Sequence, residues 1–155
     1  MKKILVAIAI VVIIIVSIPL LQNYLKNNPL SFETATAKAN NQTIKLYIAK
    51  SAKEKEVGLS DRKSLPEGWG MLFSFEKPDF YPFWMRNMQF PIDIFFIHNN
   101  RIVTLFENVQ PPTPQTGDIP LYKPDEPASA VIETSAGLAK KYNLKVGDEI
   151  KIDTR

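Results

Sequence analysis

Alternating apolar and polar residues predict that most of the chain after residue 33 forms short β-strands. Residues 43–48 alternate without interruption, with three aliphatic side chains on one face and Thr, Lys and Tyr on the other. The Asn40-Asn41 pair before them is typical of a tight turn, so these residues predict a hairpin. The other predicted strands are MLFSF (71–75), PFWM (82–85), IDIFFI (92–97), IVTLFENV (102–109), ASAVIE (128–133) and LKVGDEIKI (144–152).

Two short segments break the alternation and predict helices. Ser51 stands three residues before Glu54, which is the spacing of a capping box, and it predicts a short helix over residues 52–57. The segment TSAGLAKKYN predicts a second helix with Thr134 or Ser135 as its N-cap. The pattern as a whole therefore predicts one mainly antiparallel β domain with two short helices.

The first 26 residues have a different character. Lys2 and Lys3 precede an apolar run over residues 4–21, close to the roughly 20 residues that a helix needs to cross a bilayer. No small-x-small cleavage motif follows, so we interpret the run as an uncleaved signal anchor with a cytoplasmic N-terminus. A cleaved signal peptide and a secreted product are the alternative. The predicted organisation is an anchor over residues 1–26, a tether over 27–31 and an extracytoplasmic β domain over 32–155.

Charge and composition narrow the classes of partner and cofactor. All 16 acidic residues and 16 of the 19 basic residues follow residue 30, so the predicted exported domain has no net charge. This balance gives no support to nucleic-acid binding. The chain has no cysteine and a single histidine, His98, so it predicts no disulfide, structural zinc site or histidine-based catalytic triad. We predict no metal and no cofactor.

Residues 83–97, FWMRNMQFPIDIFFI, combine bulky aromatic side chains with a few polar ones. If the segment forms strands, Asp93 lies among apolar residues and needs a partner. The expected partners are Arg62, Arg86 and the amide of Asn87. Asp93 then has one of two roles: it caps a turn or forms a structural ion pair, or it lines a pocket.

The pocket interpretation joins Asp93 to Trp84 and Asn87. An aromatic ring, a carboxylate and an amide suit polyols and sugars, because the ring stacks on C–H groups while the polar groups orient hydroxyls. Tyr122 belongs to a loop over residues 110–127 that holds six of the twelve prolines. That loop is either a lid over the Trp84 and Asp93 face or a mobile connection.

Glu133 is the second acidic candidate. It ends the strand ASAVIE, just before the predicted second helix. Its structural role would be to cap or salt-bridge the start of that helix. Its catalytic role would be to act with Asp93 as the pair of carboxylates that glycoside hydrolysis requires.

The order of short motifs resembles that of a known family. GMLF (70–73), FWM with a basic residue and Asn (83–87), Pro-hydrophobic-Asp (91–93) and E-x-x-x-G (133–137) follow one another as in domain-of-unknown-function family one hundred and ninety-two, the Saro-like superfamily. The resemblance covers about residues 31–152 of this chain. It implies a compact, mainly β, barrel-like domain behind a signal peptide or anchor, and it implies no particular reaction.

This chain departs from the family pattern in one respect. Many members carry paired cysteines in the loop before the residue that corresponds to Tyr122, whereas this chain has none. A redox or metal role for those cysteines is therefore excluded here. The predicted fold class is mainly β, a compact antiparallel barrel-like domain with two short helices, preceded by one N-terminal transmembrane helix.

Three functions stay open at this stage. The first is a membrane-anchored binding or accessory module for a cell-envelope ligand, either a saccharide or a protein segment. The second is an envelope carbohydrate hydrolase that uses Asp93 and Glu133, and the third is a structural partner of another membrane protein. No catalytic residue is assigned on the sequence alone. The predicted ligand-binding residues are Trp84, Asn87, Asp93, Arg62, Tyr122 and Glu133.

Overall fold

The computed structural model describes residues 17–19, 33–60, 62–112 and 119–154. The chain divides into two compact units, Met1–Phe32 and Glu33–Arg155, and the β domain is the second. The predicted anchor and tether lie outside the described residues, apart from residues 17–19, which are helical. In the described part of the chain, every helix is too short or too polar to span a bilayer.

The described part of the second unit contains nine strands and two short helices. Seven strands form one sheet in the order β6-β5-β8-β3-β2-β1-β9, and β4 pairs separately with β7. The strands are β1 (Thr34–Ala39), β2 (Gln42–Ala49), β3 (Trp69–Asp79), β4 (Phe83–Trp84), β5 (Ile92–His98), β6 (Arg101–Val109), β7 (Leu121–Tyr122), β8 (Ala128–Ser135) and β9 (Lys151–Asp153), and the helices are α1 (Ala52–Val57) and α2 (Leu138–Lys141).

The seven-stranded sheet curls back on itself. Its two outermost strands, β6 and β9, approach each other at one end, where Arg101 bridges Glu149. The backbone N–H of Ile102 donates to the carbonyl of Asp148 at 3.0 Å in the same region. The prediction of a mainly β, barrel-like domain is confirmed as a curled half-barrel.

One strand pair departs from the antiparallel prediction. β2 and β3 are parallel, whereas the other pairings between described strands are antiparallel. Parallel neighbours need a crossover connection, and α1 with its flanking loops provides it. The predicted capping box starts this helix, since Ser51 Oγ accepts the N–H of Glu54 at 3.1 Å and the Glu54 carboxylate accepts the N–H of Ser51 at 2.7 Å.

The sheet is buried on both faces at its centre. Leu72, Phe95 and Ile132 lie side by side on one face and belong to the main hydrophobic core. Residues one position further along each strand point to the opposite face. There Phe73, Val131 and Phe96 lie side by side, and all three are buried. This double burial explains the uninterrupted apolar run of β5.

The C-terminal predictions need correction. Thr134 and Ser135 do not cap the second helix, because both remain in β8, paired with residues of β5. Gly137, at φ 87°, precedes α2 instead. The predicted strand over residues 144–152 shortens to β9, because Gly147 makes a turn at φ 92° and only residues from Lys151 onward pair with β1.

Candidate functional site

A cleft of about 210 Å³ opens on the second face of the sheet, beside the end of α1 and β4. Its surface is mainly apolar, and one buried carboxyl group lies in it. We call it the Glu133 cleft, and we define it by the residues that dominate its wall and floor. These are Gly58, Phe73, Phe83, Trp84, Met88 and Glu133.

Glu133 is placed in the cleft by the register of β8. It lies opposite Met71 of β3 and Ile94 of β5, so its side chain points away from the main core. The residue is only 5% exposed. No described residue forms a hydrogen bond or ion pair with its carboxyl, and burial alone raises the pKa of Glu133 from 4.5 to about 8. At neutral pH the group is mainly protonated and offers an O–H donor as well as an acceptor.

Gly58 brings the backbone close to this carboxyl. It follows α1 with φ 53° and ψ −124°, a conformation that glycine adopts far more readily than other residues. A Cβ at this position would lie 3.3 Å from Cζ of Phe73 and 3.7 Å from Oε2 of Glu133. The missing side chain therefore leaves the space directly in front of the Glu133 carboxyl.

Aromatic rings form the opposite wall. Phe83 meets Phe73 edge-on at a centroid distance of 5.1 Å and Phe96 at 5.6 Å. Trp84, the next residue of β4, is half-buried and carries the Arg86 guanidinium over its ring at 5.1 Å. These contacts fix the rings before any ligand arrives, which lowers the entropy cost of binding.

A hydrogen bond ties the two sides of the cleft together. The hydroxyl of Ser60, which follows α1, donates to the backbone carbonyl of Arg86 at 2.9 Å. The N–H of Met88 donates to the carbonyl of Met85 at 3.2 Å and closes the turn after β4. The segment after α1 and the turn after β4 therefore hold each other in place around the opening.

The proline-rich loop packs beside the cleft. Tyr122 pairs with Phe83, and Leu121 pairs with Trp84, which makes the short β4–β7 ladder. The Tyr122 ring also meets Phe106 edge-on at 5.3 Å. This ladder was not predicted, because two residues per strand are too few to show alternation. Tyr122 supports the back of β4 and does not line the cleft, and residues 113–118 of the loop lie outside the described residues.

Asp93 lies on the other face of the sheet. It is fully buried, its Oδ1 accepts the N–H of Asn108 at 2.8 Å, and its Oδ2 accepts the N–H of Ala139 at 2.8 Å. The expected partners Arg62, Arg86 and Asn87 are thus corrected to two backbone amides. This geometry matches the structural interpretation, because Asp93 joins the end of β6 to the first turn of α2.

The two acidic candidates do not meet. Asp93 lies opposite Thr134, whereas Glu133 lies opposite Ile94, so the two carboxyl groups point to opposite faces of the sheet. A substrate on one face cannot reach both. The arrangement of paired carboxylates that the hydrolase hypothesis needs is not formed.

Of the six predicted ligand-binding residues, the structure brings Trp84 and Glu133 together in the cleft. Arg62 instead stacks its guanidinium over the Tyr47 ring at 4.2 Å, and Asn87 sits exposed at φ 57° in the turn after β4. Sequence reasoning missed Phe73 and Phe83, whose role depends on which strands become neighbours. Across the described ranges, no three His, Asp or Glu side chains converge as metal ligands do.

Comparison with known proteins gives a family and two similar structures. Residues 34–152 match the profile of DUF192, described as "Uncharacterized ACR". A protein of unknown function from Novosphingobium aromaticivorans DSM 12444 is 29% identical with a TM-score of 0.66, over 76% of this chain and 83% of that one. A putative transcription regulator from Sinorhizobium meliloti 1021 is 26% identical with a TM-score of 0.67, over 77% of this chain and 92% of that one. No curated protein matches. The profile match confirms the resemblance that the motif order indicated.

Proposed function

Because the chain belongs to DUF192, an uncharacterised family, we propose its function from the geometry of the β domain: it is a binding module, and the Glu133 cleft is its ligand site. One observation carries the proposal. Glu133 is 5% exposed and has no partner among the described residues, yet it lines an open cleft. A buried polar group without a partner is costly to the fold, and a ligand that supplies the partner recovers that free energy.

The size and lining of the cleft favour a protein segment over a saccharide. Its volume of about 210 Å³ is below the roughly 300–1,000 Å³ of sites for drug-sized ligands, and it suits one large side chain. A sugar ring presents several hydroxyls, and each needs a polar partner. The cleft is mainly apolar and has a single buried carboxyl, which suits one polar group on an apolar stem.

The location of the module is part of the proposal. The apolar run over residues 4–21, preceded by Lys2 and Lys3, supports a membrane anchor with the β domain outside the cytoplasm. The ligand would then be a protein segment of the cell envelope. The carbohydrate hydrolase has no comparable support, because Asp93 and Glu133 lie on opposite faces of the sheet.

The fluorescence of Trp84 provides a direct test. The chain has two tryptophans, and Trp69 stacks on Tyr47 at 4.6 Å, so a Trp69→Phe variant leaves Trp84 as the reporter in the cleft wall. The full chain in a mild non-ionic detergent is titrated with capped tripeptides Ala-X-Ala, where X covers each side-chain class, and with mono- and disaccharides. We expect a subset of tripeptides to change Trp84 emission and to raise the melting temperature.

The matched control is Trp84→Phe, which retains Trp69 as its reporter. Its emission should not respond to the same tripeptides. If neither peptides nor sugars alter Trp84 emission or the melting temperature, the cleft is not a ligand site and the structural-partner hypothesis gains support. A response to sugars alone would assign the module to the saccharide class.

A further inference from the structure

We infer that the Glu133 cleft, if it is the ligand site proposed above, takes a primary ammonium group on an unbranched aliphatic chain, as presented by a lysine side chain of the bound protein segment. The structure supplies three features that such a group needs. They are a counter-ion without a partner, an apolar path leading to it, and rings beside the path.

The first feature is the carboxyl of Glu133. The protein's own cations near the cleft are engaged elsewhere. The ammonium of Lys55 donates to the carbonyl of Ser74 and lies 4.8 Å from the centroid of the Phe75 ring, while the Arg86 guanidinium covers Trp84. The carboxyl is thus left for a cation from outside the chain, and an ion pair would offset the desolvation that now keeps it protonated.

The second feature is the shape of the approach. A lysine side chain can lay its four methylene groups along apolar walls while its charged end reaches a polar group. The space beside Oε2 is what the missing Cβ of Gly58 leaves, at 3.7 Å. A compact ammonium suits that space better than the wide planar fork of a guanidinium, which prefers a carboxylate open on both oxygens.

The third feature is the aromatic wall. Phe73 and Phe83 line the cleft beside Glu133, and Trp84 lies at its edge. Aromatic rings attract desolvated cations, and each well-placed ring contributes on the order of 1 kcal/mol. A neutral polar group gains nothing from this wall, so the rings favour an ammonium over a hydroxyl of the same size.

Binding of an ammonium makes a specific prediction about protons. The free carboxyl is mainly protonated below its pKa of about 8, and it must lose its proton to pair with the cation. Binding therefore releases close to one proton, and affinity should rise about tenfold per pH unit between pH 6 and 7.5. The other charged groups lining the cleft or next to it are Lys55, Glu56 and Arg86.

The experiment compares two capped tripeptides, Ala-Lys-Ala and Ala-norleucine-Ala, by Trp84 fluorescence at pH 6, 7 and 8. Norleucine keeps the aliphatic stem and lacks the ammonium. The full-length Trp69→Phe chain is used alone and combined with Glu133→Gln or with Glu76→Gln, an exposed control. We expect the lysine peptide to bind with the stated pH slope. We expect Glu133→Gln to weaken it more than about tenfold and abolish the slope, and Glu76→Gln to change neither.

The outcomes separate the two proposals. Equal binding of both peptides without a pH slope would overturn the ammonium inference and leave the binding function standing. Unchanged lysine binding in Glu133→Gln would also overturn it, because Glu133 would not be the counter-ion. If no peptide in the wider panel produces a signal, both proposals fail. Binding of sugars alone would overturn the inference and the protein-segment proposal together.

Discussion

The isosteric substitution Glu133→Gln should change how the stability of the domain depends on pH. In the folded chain the pKa of Glu133 is raised from 4.5 to about 8, because the carboxyl is buried without a partner. Between these two values the folded state holds a proton that the unfolded state has released. The free energy of unfolding must therefore fall as pH rises through this window, and it must level off above about pH 8.

The size of the effect follows from the shift. Each pKa unit corresponds to about 1.4 kcal/mol, so the shift from 4.5 to about 8 amounts to a loss on the order of 5 kcal/mol across the window. By pH 7 the loss is on the order of 3 kcal/mol. A domain of this size is stable by about 5–15 kcal/mol, so the loss is large enough to measure. Glutamine has no proton to lose, and its variant should lack this slope.

Urea unfolding of the full chain at pH 5, 6, 7 and 8 measures the slope directly. The wild type should lose about 1.4 kcal/mol per pH unit relative to Glu133→Gln. Glu76→Gln serves as the control, because Glu76 is exposed on the same sheet, and it should follow the wild type. Parallel curves for wild type and Glu133→Gln would refute the reasoning, since they would mean that Glu133 is solvated or paired in the folded protein.

Three further predictions address the surroundings of the cleft and the anchor. Gly58→Ala should lower stability by about 1–3 kcal/mol, because alanine is strained at φ 53° and its Cβ would press on Phe73; an unchanged melting temperature would contradict this. Asp93→Asn should lower stability by about 1–3 kcal/mol, because the amide replaces one of two buried acceptors, while Trp84 emission should still respond to ligand; wild-type stability would contradict the structural role. Deleting residues 1–26 should move the protein from the membrane fraction, resistant to alkaline extraction, to the supernatant; membrane retention of the deletion variant would contradict the anchor.

The sequence predicted best what short segments decide by themselves. The turn at Asn40-Asn41 forms with φ of 48° and 61°, and the capping box at Ser51 starts α1 where its spacing placed it. Both depend on side chains within four residues of each other. The alternation of β5 also placed Asp93 correctly on the face opposite Ile94, because that inference needs only the two-residue repeat of a strand.

Features that depend on distant neighbours were less accessible. Asp93 is satisfied by backbone amides of Asn108 and Ala139, and a backbone amide leaves no trace in a sequence. Glu133 became a cleft residue because β8 lies between β3 and β5 in the sheet, an order that alternation within β8 does not encode. The cleft itself forms where α1, β3, β4 and β8 meet, so no single segment predicts it.

The position of β9 has a consequence for how the domain is made. β1 and β9, the first and last strands, are hydrogen-bonded neighbours, with Thr36 opposite Asp153, almost the full length of the domain apart. Joining residues so far apart along the chain requires closing a long loop, which slows folding. The half-barrel cannot be completed until its last residues are synthesised. A chain exported N-terminus first would cross the membrane with β1 still waiting for its partner, so we expect the domain to need protection from aggregation until β9 emerges.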